Sequence, residues 1–170
     1  MYDAWRASQI RNMGKVSESS TFSDNDWEEV KRKSDSAIEK WIQDQMKMRS
    51  CIIVLIGEHT GGRRWIEYEI KQAWLKGKGV VGIRIHGLKD ENENQAKAGA
   101  NPIDEFLINT EENNIRKYQS YIGSNEKRLA DVCKTYNPPF KISINVYNYI
   151  RDNIADWIEE AIEIRNKYPK

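Results

Sequence analysis

Cysteine, unbalanced charge and long apolar runs are all scarce in this 170-residue chain. Its two cysteines, Cys51 and Cys133, lie far apart in a sequence with no export signal, so they read as reduced thiols rather than a disulfide framework. Two histidines and those scattered cysteines make no zinc-ligand spacing. The 27 basic and 26 acidic side chains leave a net charge of +1, which excludes nucleic-acid or anionic-membrane binding driven by bulk charge. No window approaches the roughly 20 apolar residues that span a bilayer. The opening MYDAWRASQIRNMG lacks the apolar centre of a signal peptide. P-loop, G-x-G-x-x-G and G-x-S-x-G patterns are also absent. A mean hydropathy of -0.80, with six tryptophans and eight tyrosines, describes a water-soluble chain able to bury a core. The expectation is one cytoplasmic globular domain over residues 1–170, without a metal, a membrane span or a nucleic-acid partner.

Local patterns predict an alternation of helices and strands. Residues 3–13 read as a helix, with Asp3 in its first turn and Gly14 as its stop. Residues 16–25 read as a serine-rich loop with a short strand ending at Phe22, after which Asp24 or Asp26 would cap a helix carrying Trp27 and Val30. A further helix starts from Ser34, with Ile38, Trp41, Ile42 and Met46 on one face. Strand 51–56, helix 64–76 and strand 80–85 follow, the pattern of a parallel sheet built from strand–helix–strand units. Residues 86–101 read as loop, Asn101-Pro102 as a turn and 103–108 as one more short strand. The stretch NNIRKYQSYIG suits either an edge strand or a short helix. After the break at Asn137-Pro138-Pro139, a last helix over 143–167 presents Val146, Tyr149, Ile150, Ile154, Trp157, Ile158 and Ala161 as a packing stripe.

Chemistry concentrates in CIIVLIGEHTGGRRWIEYEI, residues 51–70. A buried strand ends at Gly57, a polar turn follows, and a helix opens with Arg63, Arg64 and the spacing Trp65-x-x-x-Glu69. Ligands of parallel α/β sheets bind beyond the carboxyl ends of the strands, so Glu69 stands where a catalytic carboxylate belongs. The bland alternative is an exposed helix glutamate. Trp65 shares the face of Glu69 and reads first as packing, with ligand stacking as the other reading. Two cations at a helix N-terminus oppose the macrodipole, at about 0.3–1 kcal/mol each. Arg63 and Arg64 would therefore either hold a pyrophosphate or pair with Glu67 or another carboxylate. Glu67, two residues from Glu69, is expected in solvent; His59 reads as a loop histidine, and His86, after strand 80–85, as a border of the pocket.

Together these residues resemble the TIR-like domain family of Thoeris anti-phage defence. The likeness is carried by Trp27 and Asp35, LIGEHTGGRRWIEYEI at 55–70, GIRIHGLKD at 82–90, GANPID at 99–104 and NVYNYIRDNIADWIEEAI at 145–162. The resemblance implies a flavodoxin-like α/β three-layer sandwich, with a core over about 1–109 and a C-terminal helical extension over about 110–170. It implies NAD as substrate rather than cofactor, cleavage of its nicotinamide–ribose bond, and Glu69 as the catalytic residue. It further implies a homo-oligomer, a cyclic ADP-ribose-type messenger acting on a separate effector, and a phage-derived trigger. Ser23 and Asp24 fall in the loop that often meets a neighbouring protomer in such domains, and with Arg63, Arg64, Trp65 and His86 they complete the expected substrate-binding set. Asn101 and Asp104 belong to the likeness without a chemical role beyond turn formation. Family members begin with a strand carrying an aromatic-x-Ser-aromatic pattern, whereas this sequence opens at Met1-Tyr2-Asp3, at the helix that follows. A sheet with a gap and impaired activity is the corresponding expectation, and a non-catalytic interaction module the alternative function.

Overall fold

A computed structural model describes residues 3–13, 20–22 and 32–170. The helix expected around Trp27 and Val30 lies outside the described residues. In chain order the elements are α1 (Ala4–Arg11), β1 (Ser20–Phe22), α2 (Asp35–Met46), β2 (Cys51–Ile56), α3 (Arg64–Leu75) and β3 (Gly79–Arg84). A 3-10 turn (Pro102–Glu105) leads into β4 (Phe106–Asn109), β5 (Ile115–Lys117) and β6 (Glu126–Arg128). Then come α4 (Leu129–Val132), β7 (Thr135–Tyr136) and α5 (Ser143–Asn166).

Strand β2 explains the layering. All six of its residues are buried, and they alternate between two cores. Ile52, Val54 and Ile56 pack with Ile38, Ile42 and Met46 of α2 and Ile66, Ile70 and Ala73 of α3. Cys51, Ile53 and Leu55 pack on the other side with Ala7 and Ile10 of α1 and Ile150, Ile154 and Ile158 of α5. A strand apolar on both faces requires a helical layer on each, which gives the α/β three-layer sandwich. The sheet order is β1-β2-β3-β7, all parallel. A second sheet, β5-β4-β6, is antiparallel.

Beside β2, where a gap was expected, β1 pairs with the first half of the strand, Ser20 opposite Cys51 through Phe22 opposite Ile53. On that edge of β2, the pairing covers the backbone of Cys51–Ile53.

Most local readings hold. Ser34 caps α2, its hydroxyl accepting from the Ala37 N–H at 3.4 Å. Gly77 takes a left-handed φ of 73° and ends α3, its N–H returning to the Trp74 carbonyl. The region 103–108 divides into the 3-10 turn and β4, because the Asn101 side chain accepts the Ile103 N–H at 3.0 Å and Pro102 starts the turn. The ambiguous stretch near 115 is a short edge strand, β5. Asp3 is not a first-turn residue but the N-cap of α1, and its side chain makes no capping hydrogen bond.

Helix α5 buries Val146, Ile150, Ile154, Trp157, Ile158 and Ala161, with Arg165 at its end. It presses so closely on β3 that a Cβ at Gly79 would lie 2.8 Å from the Ala161 carbonyl carbon and 2.9 Å from the Ile162 nitrogen. Both are backbone atoms and cannot swing aside. Gly79→Ala is therefore expected to lower stability by about 1–3 kcal/mol, the usual range for overpacking. Chemical denaturation measures it, and an unchanged midpoint would mean that α5 can slide on the sheet.

Candidate functional site

The buried stripe of α3 runs through Ile66, Glu69, Ile70, Ala73 and Trp74. One position of that stripe is a carboxylate. Glu69 is 3% exposed, where glutamate is normally a surface residue and burial of its charge costs several kcal/mol unless interactions offset it. The helix starts just beyond the carboxyl end of β2, joined by the turn 57–63. The Thr60 hydroxyl holds that turn, accepting the Gly57 N–H at 2.8 Å and donating to the Leu55 carbonyl at 3.3 Å.

Segment 99–101 closes over the same turn. A Cβ at Gly99 would lie 2.4 Å from the carbonyl oxygens of both Gly57 and Glu58, and one at Gly61 would meet the Ala100 side chain at 2.7 Å. The approach needs glycine on both strands of contact. Arg84, the last residue of β3, donates to the Gly99 carbonyl at 2.8 Å. Asn101 is buried, and besides accepting from Ile103 it donates through Nδ2 to the Thr135 hydroxyl of β7 at 2.9 Å. Its role as a turn residue thus extends to fixing the turn against the sheet. Asp104 is exposed and lies 3.8 Å from Arg128.

A buried polar cluster sits at the same end of the sheet. Arg6 is 3% exposed and donates to the carbonyls of Leu88 and Asn94, each at 2.8 Å, and to Asp3 Oδ1 at 3.1 Å. It also reaches Asp90 at 3.5 Å. Asp90 organises its own turn by accepting the N–H groups of Asn92 and Asn94 through Oδ1, and the Asn94 N–H is the leading cause that holds its carboxyl below the ordinary range. His86 lies beside this cluster with Nδ1 buried and no hydrogen-bond partner for it among the described residues.

Burial, then the guanidinium groups of Arg84 and Arg6, push the His86 imidazole below its ordinary 6.5, with Asp3 opposing. The folded chain therefore keeps His86 neutral at pH values where the unfolded chain has already taken up a proton. Stability is intact above about pH 6.5 and falls as pH drops through that value toward the folded pKa. Denaturation at about pH 7.5 and 5.5 is expected to show this loss, and His86→Gln to reduce it. An equal loss in the variant would remove His86 as its cause.

The structure divides the residues that the sequence grouped. Arg63 stays at the strand end, lining a small cavity there and donating through Nε to the His59 carbonyl at 2.9 Å. Arg64 turns outward, pairing with Asp35 of α2 at 2.8 Å and lying over the Trp65 ring at 4.5 Å. Trp65 is half-buried and meets Tyr68 edge-on at 5.7 Å. Glu67 is not in open solvent as expected: its side chain is 16% exposed and pairs with Lys117 of β5 at 2.7 Å, because the second sheet lies across that side of α3. Ser23 and Asp24 lie outside the described residues. Sequence reasoning missed the burial of Asp3 and Arg6. Their i, i+3 spacing with opposite charge was the available signal.

Among the described residues no helix is long and apolar enough to cross a membrane, and no three His, Cys, Asp or Glu side chains gather in a metal-binding group. Comparison with known proteins gives a relative and a family. One is a protein named "Putative cyclic ADP-D-ribose synthase ThsB1" from Bacillus cereus (strain MSX-D12), 40% identical over 78 residues. That match covers 46% of this chain and 41% of the relative, so the chain spans well under half of the relative's length. The other is a family described as Thoeris protein ThsB, TIR-like domain, matched over residues 1–90. That span holds α1, the first three strands of the parallel sheet and the helix bearing Glu69, and the chain belongs to this family of TIR-like domains.

Proposed function

We propose that the chain cleaves NAD at the nicotinamide–ribose bond, with Glu69 as the catalytic carboxylate, and releases a cyclic ADP-ribose-type product. The observation that carries this reading is the burial of Glu69 within an otherwise apolar stripe of the helix that follows the ligand-facing end of β2. The name of the Bacillus cereus relative supports the class of product.

The chemistry suits a single carboxylate. Ordinary glycosidases need a second one to protonate a poor leaving group. The nicotinamide of NAD is already cationic, so when the ribose C1′–N bond breaks, the electron pair neutralises the ring and no acid is required. What remains is an oxocarbenium-like ribose. A carboxylate in a water-poor position opposes that developing charge far more strongly than one in solvent. Attack at C1′ by a nucleophile of the same molecule closes the cyclic product; attack by water, with loss of a proton, gives ADP-ribose. In the full reading the protein acts as a homo-oligomer, responds to a phage-derived trigger, and signals through its product to a separate effector.

The interaction-module alternative drew its support from an open gap in the sheet. β1 covers Cys51–Ile53 on that edge, which shortens the stretch of β2 open to a partner strand.

Mass spectrometry of NAD incubated with concentrated protein is the direct test. Loss of NAD with free nicotinamide and a new ADP-ribose-type product is expected. Persistence of NAD at high enzyme concentration would overturn the reading.

A further inference from the structure

Only one of the two carboxylate oxygens of Asp3 is used within the described fold. As the N-cap of α1 it would normally accept a backbone N–H, yet its side chain caps nothing. It is 8% exposed, so water does not solvate it as a surface charge. Oδ1 pairs with Arg6 at 3.1 Å, while Oδ2 is buried with no hydrogen-bond partner among the described residues. Arg6 takes one oxygen of Asp3 and directs other donors to the carbonyls of Leu88 and Asn94, so the pair leaves Oδ2 unused. An ionised oxygen left buried without a donor costs more than an ordinary unmet hydrogen bond.

The backbone makes room for that oxygen. A Cβ at Gly57 would lie 2.1 Å from the Asp3 carboxyl carbon and 2.2 Å from Oδ2. Position 57 is thus open to the carboxylate only while it has no side chain. Asp3 lines a cavity of about 10 Å³ together with Thr60, Arg63, Leu55, Ile66 and Ile85. That is room for one water-sized group. Its walls are the carboxyl end of β2, the residue after β3, and α3 one turn before Glu69, which follows Ile66 on the same buried stripe. Carboxylates only accept hydrogen bonds, so the missing group is a donor.

We propose that Asp3 is a substrate-binding residue whose buried Oδ2 accepts a hydrogen bond from a ribose hydroxyl of NAD at the carboxyl end of β2. The assignment rests on the NAD-cleaving reading and adds to it a residue on a different helix from Glu69. It explains why a carboxylate, rather than an amide or hydroxyl, stands where one oxygen goes unused by the fold. A charge-assisted hydrogen bond to a sugar hydroxyl is a strong one.

The test is steady-state NAD consumption by wild type and Asp3→Asn, with thermal unfolding measured on the same samples. Asparagine keeps the shape and can still accept from Arg6, but removes the charge at Oδ2 or turns a donor toward the sugar. The expected result is a KM raised about tenfold or more, kcat within about threefold, and a Tm equal to or above that of wild type. Gly57→Ala is the second variant: it keeps Asp3 but drives a methyl group into its carboxyl, and a KM rise of similar size is expected. Combining the two should add little to either alone, since both remove one contact.

An unchanged KM in both variants, with the wild type active and Glu69→Gln inactive, would overturn the assignment and leave the NAD reading standing. A fall in Tm with unchanged KM would overturn it by making Asp3 a strut for Arg6. A wild-type protein inert toward NAD would overturn the NAD reading and this assignment with it.

Discussion

Glu69→Gln is expected to reduce NAD consumption by about 10²–10³-fold, the loss typical of removing one preorganised electrostatic stabiliser. The argument turns on what the substitution keeps. Glutamine has the size of glutamate and the same reach on the buried stripe of α3. It removes the negative charge and exchanges one acceptor oxygen for an amide donor. If that charge serves the oxocarbenium-like ribose, kcat falls while the fold does not. Because a buried charge is costly to hold, the variant's Tm should equal or exceed that of wild type, the pattern of a residue retained for activity at the expense of stability. Near-ultraviolet circular dichroism and thermal unfolding check the fold; nicotinamide release checks the chemistry. A well-folded Glu69→Gln protein that consumes NAD at the wild-type rate would sink the assignment. A variant that unfolds would instead show that Glu69 holds the helix in place.

Position 69 also shows how far sequence reasoning reaches. The strand Cys51–Ile56 and the helix Arg64–Leu75 were legible because their signals are local: an unbroken apolar run ending at glycine, then a helix-like stretch with Trp65-x-x-x-Glu69. Glu69 was read on the face of Trp65, and the alternative of an exposed helix glutamate does not hold at 3% exposure. Its neighbours were harder. Arg63 and Arg64 are adjacent in sequence and alike in chemistry, yet one stays at the strand end and the other crosses to Asp35 of α2. Their separation depends on where α2 packs, which no local pattern encodes. Glu67 was misplaced for the same reason: its cover is Lys117, from a second sheet whose strands are three or four residues long. Such short strands carry little periodicity.

The polar cluster was the least legible part. Asp3 and Arg6 read as ordinary charges on an opening helix until the loop after β3 folds over them, bringing Leu88, Asp90 and Asn94 within reach of one guanidinium. Sequence patterns report which face of an element is apolar. They do not report which polar side chains a distant loop will bury. The cavity beside Asp3 depends in addition on Gly57, which reads in sequence as a strand terminator and in the fold as the space that the carboxylate occupies.

Arg165 makes the same point in stability. In sequence it is one more charge near the end of a surface-patterned helix; in the fold it is 1% exposed. Nε and Nη2 both donate to the Trp74 carbonyl, at 3.0 and 2.8 Å. Nη2 also reaches Pro169 and Asn113, Nη1 reaches the Tyr168 carbonyl, and the guanidinium lies 4.2 Å from the Trp74 ring centroid. Trp74 is in the last turn of α3, where its carbonyl accepts the Gly77 N–H as well as Arg165 and the helix dipole favours a cation. Burial lowers the pKa of Arg165, but a guanidinium still stays charged at physiological pH. Arg165→Met keeps much of the volume and removes every donor. It leaves the Trp74, Tyr168 and Pro169 carbonyls without these donors and is expected to cost about 2–4 kcal/mol, which for a chain of this size is a Tm drop of about 10 °C. Arg165→Lys should fall between, because one ammonium cannot reproduce a planar fork aimed at several carbonyls. Glu69 lies more than a turn before Trp74, so at temperatures where the variants remain folded the KM for NAD should hold. Thermal unfolding beside NAD kinetics separates the two effects. A wild-type Tm in Arg165→Met would mean that packing of α5 alone secures the end of α3, whereas a raised KM in a folded variant would tie this clamp to the geometry of the site.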